Sequence, residues 1–522
     1  MTKFDTAPDL PAGFSHLTIT SGIRAAAMRA PGKVALRFEG RSITYGRFIE
    51  RLNRIVNLVR DGFGLAVGDH AMLIAHNSIE FLELICGLPD AGLVVATPNP
   101  RLSEREIALI VADSNPKLIF VDAASEKLLA AADLAGRHVV VIGREYEDLL
   151  ARSSDRDRRV PVAEWTPFSI PYTSGTTGMP KGVLLPHRSR TMTFFAMASE
   201  YGCYGPDDHF LAIAPFCHGA GLAFALGSLF FGGTCTIMGK FDPEETIRLL
   251  NTGEITGTFM VPTHFHKIFE LPADVLARNR GGHRLRSIIS NAAPLPQATK
   301  VKIIDHWGEG LLHETYGATE SGIVTNLRPQ DQLRKQHCVG TPFPCTEIEL
   351  RDENGNPVPT GEVGELFSRS PYLFNGYLNR DDETREVIRD GWVSVGDMAR
   401  KDEEGYYYIV DRKKDMVIAG GLNIYPREVE NVIGQVPGVA EVSVVGKPDP
   451  QWGESLVAFV VADPARPAPT ADDVIAACKR DLAGYKVPRA VHFIPELPRN
   501  AGGKILKREL RDLAVRIEGG AD

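Results

Sequence analysis

Short apolar runs alternate along the first part of the chain with segments whose apolar side chains recur three and four positions apart. The runs are AMLIA at 71–75, KLIFVD at 117–122, HVVVIG at 138–143, HFLAIAP at 209–215 and RSIISN at 286–291. Each is short, apolar and bounded by turn formers, which predicts a strand buried on both faces, while the three-and-four spacing predicts a helix with one apolar stripe. Helices are predicted over 45–61 and 103–113, the second opening on the capping box Ser103-Glu-Arg-Glu106. The alternation predicts an α/β fold of helices layered on largely buried sheets.

After about residue 335 the texture changes to strand and turn signals, EIELRDENGNPVP and GEVGELFSR, in which Asn-Gly and Pro mark tight reversals. A further boundary is predicted near Asp411, where the charged run DRKKD is followed by a glycine pair and a new α/β pattern: PREVENVI, EVSVVG, SLVAFVVA and ADDVIAACKRDL. The predicted organisation is a large N-terminal domain over 1–411, of layered α/β subdomains plus a β-rich subdomain, and a small α+β C-terminal domain over 412–522. The proline-rich stretch at 462–472 is predicted to be a surface loop, and there is no internal repeat.

Composition narrows the function classes. At 522 residues the chain needs more than one hydrophobic core. A formal charge of −8 with no basic cluster argues against nucleic acid as a partner. The opening MTKFDTAPDLPAG carries acids and prolines where a secretory signal has a basic then apolar stretch, so a cytoplasmic location is expected. The apolar segment 219–233 is shorter than the roughly 20 residues that span a bilayer, which predicts buried core and no transmembrane segment. Cys86, Cys203, Cys217, Cys235, Cys338, Cys345 and Cys478 follow neither a zinc nor a disulfide spacing, and reduced thiols are expected.

The sharpest chemical feature is the string YTSGTTGMPKG from Tyr172 to Gly182. Glycine lets the backbone turn so that successive amides face one anion, hydroxyls add donors and Lys181 adds charge, which suits a polyphosphate. It is not a Walker A loop, because only two residues separate Gly175 from Gly178 and Pro180 precedes Lys181. Composition alone would serve a flexible surface loop equally well. The ordered string, however, closely resembles the phosphate loop of the adenylate-forming superfamily, which includes acyl-CoA synthetases, luciferases and the adenylation domains of peptide synthetases.

The resemblance extends over nearly the whole chain in the expected order. The segment ending APFCH at His218 is similar to the one at the mouth of the acyl pocket. Ser290-Asn-Ala-Ala-Pro-Leu295 resembles the adenine-side loop, with Asn291 where glycine is common. HETYGATE, ending at Glu320, is similar to the adenine and metal motif, and WVSVGD, ending at Asp397, to the ribose segment, with Val395 in place of the common threonine. Residues 408–426 resemble the hinge and its glycine loop, and RNAGGK, ending at Lys504, the C-terminal catalytic loop.

The resemblance implies a role for each matched residue. Thr173, Ser174, Gly175, Thr176, Thr177, Gly178 and Lys181 would hold the phosphates of ATP. Ala292, Ala293, Glu314, Thr315, Tyr316 and Gly317 would surround adenine, with Tyr316 stacked on it; Thr319 would bond phosphate, and Glu320 with Thr176 would hold Mg²⁺. Asp397, Ile409 and Arg412 would contact the rest of the nucleotide, Lys414 would be the hinge, Gly420 and Gly421 would admit the coenzyme A arm, and Lys504 would act on the phosphates. The acid would lie against His218, Val261, Thr263, His264, Asn291 and Gly317, a mixed lining that implies an aromatic, branched or medium-length acid. The pattern places no arginine to bind a second carboxylate.

The implied reaction converts an acid and ATP to acyl-AMP and pyrophosphate, then acyl-AMP and coenzyme A to acyl-CoA and AMP. The alternatives are loading of a separate carrier protein, a luciferase-type oxidation of the same adenylate, and a nucleotide-binding regulator without catalysis. Glu320, Lys504 and the glycine loop together favour an enzyme. The expected partners are the acid, ATP and coenzyme A, with a homodimer also admitted.

Overall fold

All five apolar runs form strands: His70–Ile74, Leu118–Asp122, His138–Ile142, His209–Ala212 and Ser287–Ser290. The computed structural model describes residues 14–173, 180–419, 422–499 and 505–519. The runs divide between two sheets. In one, His138–Ile142, Leu118–Asp122, His70–Ile74, Val94–Thr97 and Pro167–Thr173 lie side by side and parallel, and the short strands Lys181–Gly182 and Leu185–Pro186 pair antiparallel with Pro167–Thr173. In the other, nine strands run from Thr341–Pro342 through Gly322–Leu327, Leu312–Ala318, Ser287–Ser290, Gly257–Met260, His209–Ala212, Thr234–Ile237 and Val34–Phe38 to Arg41–Thr44. The central strands are parallel and covered on both faces, which is why their sequences read as continuous apolar runs without alternation.

The helices follow their local signals. Glu104–Ser114 opens on the predicted reciprocal cap: Ser103 Oγ accepts from the Glu106 amide at 3.3 Å and the Glu106 carboxylate accepts from the Ser103 amide at 2.8 Å. Over 45–61 the structure departs from a uniform helix. Tyr45–Asn57 is α-helical, but Leu58–Gly62 takes the wider turn in which the Phe63 amide donates to the Leu58 carbonyl at 3.0 Å. The segment 219–233 is buried as expected, forming the helix Gly219–Phe230 packed on the helix His187–Tyr201 and the strand His209–Ala212. Among the described residues no helix is long and apolar enough to cross a membrane. All seven cysteines are free thiols, six of them buried and Cys345 exposed.

The chain forms two compact units. One comprises residues 1–348 with 368–393, the other 349–367 with 394–522. Strand pairing explains the grouping: Val363, Gly364 and Glu365 pair with Arg400, Ala399 and Met398, tying the segment before residue 368 to the strands Asp397–Lys401 and Tyr407–Arg412. The second unit also holds a sheet in the order Leu422–Ile424, Val417–Ala419, Gly453–Ala462 and Val439–Asp449, with Ala490–Phe493 parallel to Gly453–Ala462. Its core is built by Val417, Ile424, Val429, Ile433, Val444, Leu456 and Val474, under the helices Pro426–Ile433 and Ala471–Asp481. The proline-rich stretch is the loop before the second of these helices.

Candidate active site

Register aligns the carboxyl ends of the parallel strands in the larger sheet: Ala212 lies opposite Phe259, Met260 opposite Ser290, and Ser290 opposite Glu314. Val261, Asn291 and Thr315, each one residue further on, therefore emerge at the same edge, where parallel sheets characteristically receive ligands. Strand Leu312–Ala318 continues into an antiparallel hairpin with Gly322–Leu327, and Thr319 and Glu320 occupy its turn. A Cβ on Gly317 would stand 2.0 Å from the Gly322 carbonyl oxygen, so glycine there is what lets the hairpin close.

The loop 290–295, which the resemblance assigns to the adenine side, is held by two devices. Asn291 Nδ2 donates to Thr315 Oγ1 at 2.8 Å while its Oδ1 accepts from the Ala292 amide. That bracket stabilises Ala292 at φ +75°, a left-handed conformation unusual for a residue with a Cβ. Glu314 is buried, accepts from the Leu295 amide at 3.0 Å and forms an ion pair with buried Lys300. Its carboxylate thus anchors the loop from within. Ala292 and Ala293 are exposed, and Tyr316 and Gly317 half-buried.

Glu320 is itself buried and positioned from both sides. Tyr377 Oη donates to its Oε1 at 2.8 Å, and the Phe374 amide donates to its carbonyl at 2.9 Å. Oε2 makes no hydrogen bond among the described residues. Thr173 and Lys181 are cross-strand partners at the base of the phosphate loop. The Lys181 ammonium pairs with Glu383 and stands 5.1 Å from the Tyr377 ring centroid. Ser174, Gly175, Thr176, Thr177 and Gly178 lie outside the described residues. No group of three or more acidic, His or Cys ligands occurs among the described residues. One protein carboxylate fits Mg²⁺, which keeps water and substrate phosphate as its other ligands, and does not fit an all-protein cage.

Among the residues the resemblance assigns to the acid, His218 Nε2 accepts from Asn99 Nδ2 at 3.2 Å. His264 stacks on Phe241 with centroids 4.4 Å apart and accepts the Val261 amide on Nδ1 at 3.4 Å; burial and then the charge of Arg101 lower its pKa to about 4, so it is neutral. Thr263 is exposed and Val261 half-buried.

In the second unit, Asp397 and Arg412 are cross-strand partners, with Arg412 Nε 3.1 Å from Asp397 Oδ1. Ile409 lies opposite Ala399 in the same pair of strands. Buried Asp411 accepts from the amides of Arg412 at 2.7 Å and Arg427 at 2.9 Å, which pins the start of the helix Pro426–Ile433 to the strand Tyr407–Arg412. Lys414 is exposed in the short turn Lys413–Asp415. Gly420, Gly421 and Lys504 lie outside the described residues.

The family described as AMP-binding enzyme matches residues 23–378, and the AMP-binding enzyme C-terminal domain matches 428–504. The chain belongs to the AMP-binding enzyme family. Among its relatives, a feruloyl-CoA synthase of an Amycolatopsis species is 36% identical over 94% of this chain and 97% of its own. An indoleacetate–CoA ligase of Aromatoleum aromaticum is 33% identical over 93% of this chain and 96% of its own. The crystal structure of ATP-bound MatB from Rhodopseudomonas palustris superposes with a TM-score of 0.87 at 30% identity, covering 96% of this chain and all of that one. This AMP-binding enzyme is an AMP-forming acid–thiol ligase that works with ATP, Mg²⁺ and coenzyme A.

Several residues that position the site of this AMP-binding enzyme escape a reading of motifs. Tyr377 is 57 residues from Glu320, and Asn99 is 119 from His218. Lys300, Glu383 and Asp411 likewise act on motif residues from neighbouring elements. No local spacing announces such partners, because the sheet brings them together only after folding.

Proposed function

We propose that this enzyme joins an aromatic or medium-length carboxylic acid to coenzyme A through an acyl-adenylate. The observation that carries the reading is Glu320, buried, clamped by Tyr377 and set beside Thr319 at the carboxyl-end edge that Val261, Asn291 and Thr315 share. The mixed lining of His218, Val261, His264 and Asn291, and relatives named for feruloyl and indoleacetyl groups, support the acid class.

A carboxylate cannot be attacked by a thiol directly, since the leaving group would be oxide. In the first reaction a carboxylate oxygen attacks the α-phosphorus of ATP; the bond to the β-phosphate oxygen breaks and pyrophosphate leaves. The Thr319 hydroxyl donates to the reacting oxygens, Lys181 supplies positive charge at the base of the phosphate loop, and Asp397 accepts from the ribose hydroxyls. The resemblance assigns charge neutralisation on the phosphates to Lys504; preorganised donors of this kind commonly contribute about 2.7–4 kcal/mol each. Mg²⁺, which Glu320 would hold, would supply further neutralisation of phosphate charge. In the second reaction the thiol sulfur attacks the acyl carbon, the thiol proton is lost and AMP departs with the bridging oxygen. Dependence on ATP and coenzyme A supports a cytoplasmic setting.

The test is a panel of carboxylic acids with ATP, Mg²⁺ and coenzyme A, scoring pyrophosphate, AMP and thioester separately. All three should appear with aromatic or medium-chain acids. Pyrophosphate without thioester would redirect the second step to a carrier protein, and absence of acid-dependent pyrophosphate would overturn adenylation itself.

A further inference from the structure

Three arginines are buried among the described residues: Arg24, Arg51 and Arg190. Arg24 pairs with Asp90 at 2.5 Å, and Arg51 with Glu83 and Glu147 at 2.5 and 2.6 Å. Arg190, only 8% exposed in the first turn of the helix His187–Tyr201, has no hydrogen-bond or ion-pair partner among the described residues. A buried guanidinium without a counter-charge is strongly unfavourable unless a ligand supplies one. Burial lowers its pKa to about 10, which still leaves it a cation at neutral pH.

Arg190 lines a narrow cleft with Thr97, Ser169, Cys217, Gly219 and Leu222 that is partly open to solvent. The helix Gly219–Phe230 begins in that wall. Its N-cap, His218, makes no side-chain capping bond, so the amides of Gly219, Ala220 and Gly221 have no intrahelical acceptor and the positive end of the helix dipole faces outward from them. A Cβ on Gly219 would lie 3.6 Å from Arg190 Nη2 and 3.8 Å from Thr319 Cγ2. The unpaired cation, the uncapped helix start and the threonine beside Glu320 therefore border one small volume.

We propose that this cleft is a carboxylate subsite in which Arg190 and the amides opening the helix Gly219–Phe230 hold a carboxylate of the acid substrate. The inference rests on the carboxylate-activating reading above and names the group that recognises the acid. It also supplies an arginine that motif spacing does not reveal, because its relation to Gly219 and Thr319 is made across the fold. Two sources share the chemistry: the reacting carboxylate of any acid, and the second carboxylate of a diacid.

Acid-dependent ATP–pyrophosphate exchange distinguishes them, measured on the wild type, Arg190→Gln, Arg190→Lys and Gly219→Val. The acids are the one of highest rate in the panel and its counterpart of equal length bearing a terminal carboxylate. Arg190→Gln should raise the KM for acid at least tenfold with the KM for ATP changed less than twofold, and Arg190→Lys should recover part of the loss. Gly219→Val keeps the cation but fills the space, so it should raise the acid KM as well and carries the test if the glutamine variant fails to fold. Equal loss for both acids assigns the reacting carboxylate; loss confined to the diacid assigns the second one. Unchanged acid KM in Arg190→Gln and Gly219→Val, or a rise confined to the KM for ATP, would overturn the subsite while leaving the ligase reading intact. No exchange with any acid in the wild type would sink both.

Discussion

The hydroxyl of Tyr377 fixes one oxygen of Glu320 at 2.8 Å and leaves the other without a protein hydrogen bond among the described residues. Groups that orient a metal ligand typically change metal affinity about 10- to 100-fold when removed. Tyr377→Phe should raise the Mg²⁺ concentration for half-maximal pyrophosphate release about tenfold with little change in thermal midpoint; an unchanged Mg²⁺ titration would count against Glu320 as the metal carboxylate. Asp397 is buried and ion-paired with Arg412. Asp397→Asn should raise the KM for ATP roughly tenfold, a loss of one charge-assisted bond, and leave the KM for acid unaltered in initial-rate measurements. His187 is 1% exposed, accepts the Ile19 amide on Nδ1 at 3.2 Å, and burial lowers its pKa to about 3. In the unfolded chain it binds a proton below about pH 6.5, whereas the folded protein refuses it until about pH 3, so stability rises with pH across that window and is lost on acidification. His187→Asn, which keeps an acceptor, should remove about 1.4 kcal/mol per pH unit from the slope between pH 6 and 4. Chemical denaturation at stepped pH reads it, and an unaltered slope would refute the assignment.

Between elements, buried charge and close backbone approach set the tolerances. The helices Ser21–Arg29 and Ile79–Asp90 are joined by Arg24 and Asp90, both buried, with Thr20 Oγ1 also donating to Asp90 Oδ1 at 2.5 Å. Asp90→Ala would leave the buried guanidinium only Asn53 Oδ1 at 3.0 Å and the more distant Asp157 carboxylate at 3.7 Å, and should destabilise the fold by about 3 kcal/mol in denaturant titrations. The hairpin that carries Thr319 and Glu320 depends on Gly317 in a similarly local way, through the 2.0 Å that a Cβ would leave to the Gly322 carbonyl. Legibility in the sequence differs accordingly. The cap at Ser103 and the buried strands could be read because caps and periodicity act within a few residues. The π-turn at Leu58–Gly62 could not, since Leu58 and Val59 continue the apolar spacing into it.

At the scale of the whole molecule, the chain crosses between its two compact units within the β-rich stretch, leaving the first at 348, returning for 368–393 and then staying in the second. The resemblance gives Lys504 to adenylation and Gly420 and Gly421 to thioester formation. Lys504→Ala should therefore abolish acid-dependent pyrophosphate release yet leave thioester formation from supplied acyl-AMP largely intact; equal loss of both half-reactions would contradict that division of labour. What the amino-acid order determined alone was the α/β alternation, the capped helices and the ordered motifs from Thr173 to Lys504, because hydrophobic period, capping and turn chemistry are short-range. Only the tertiary structure decided that Glu314 turns inward to Lys300, that Tyr377 steadies Glu320, and that Arg190 stands buried beside Gly219 and Thr319 with no ion-pair partner among the described residues. Those relations join residues far apart in the chain, and their energies arise from desolvation and pairing that exist only once the sheets have brought the partners together.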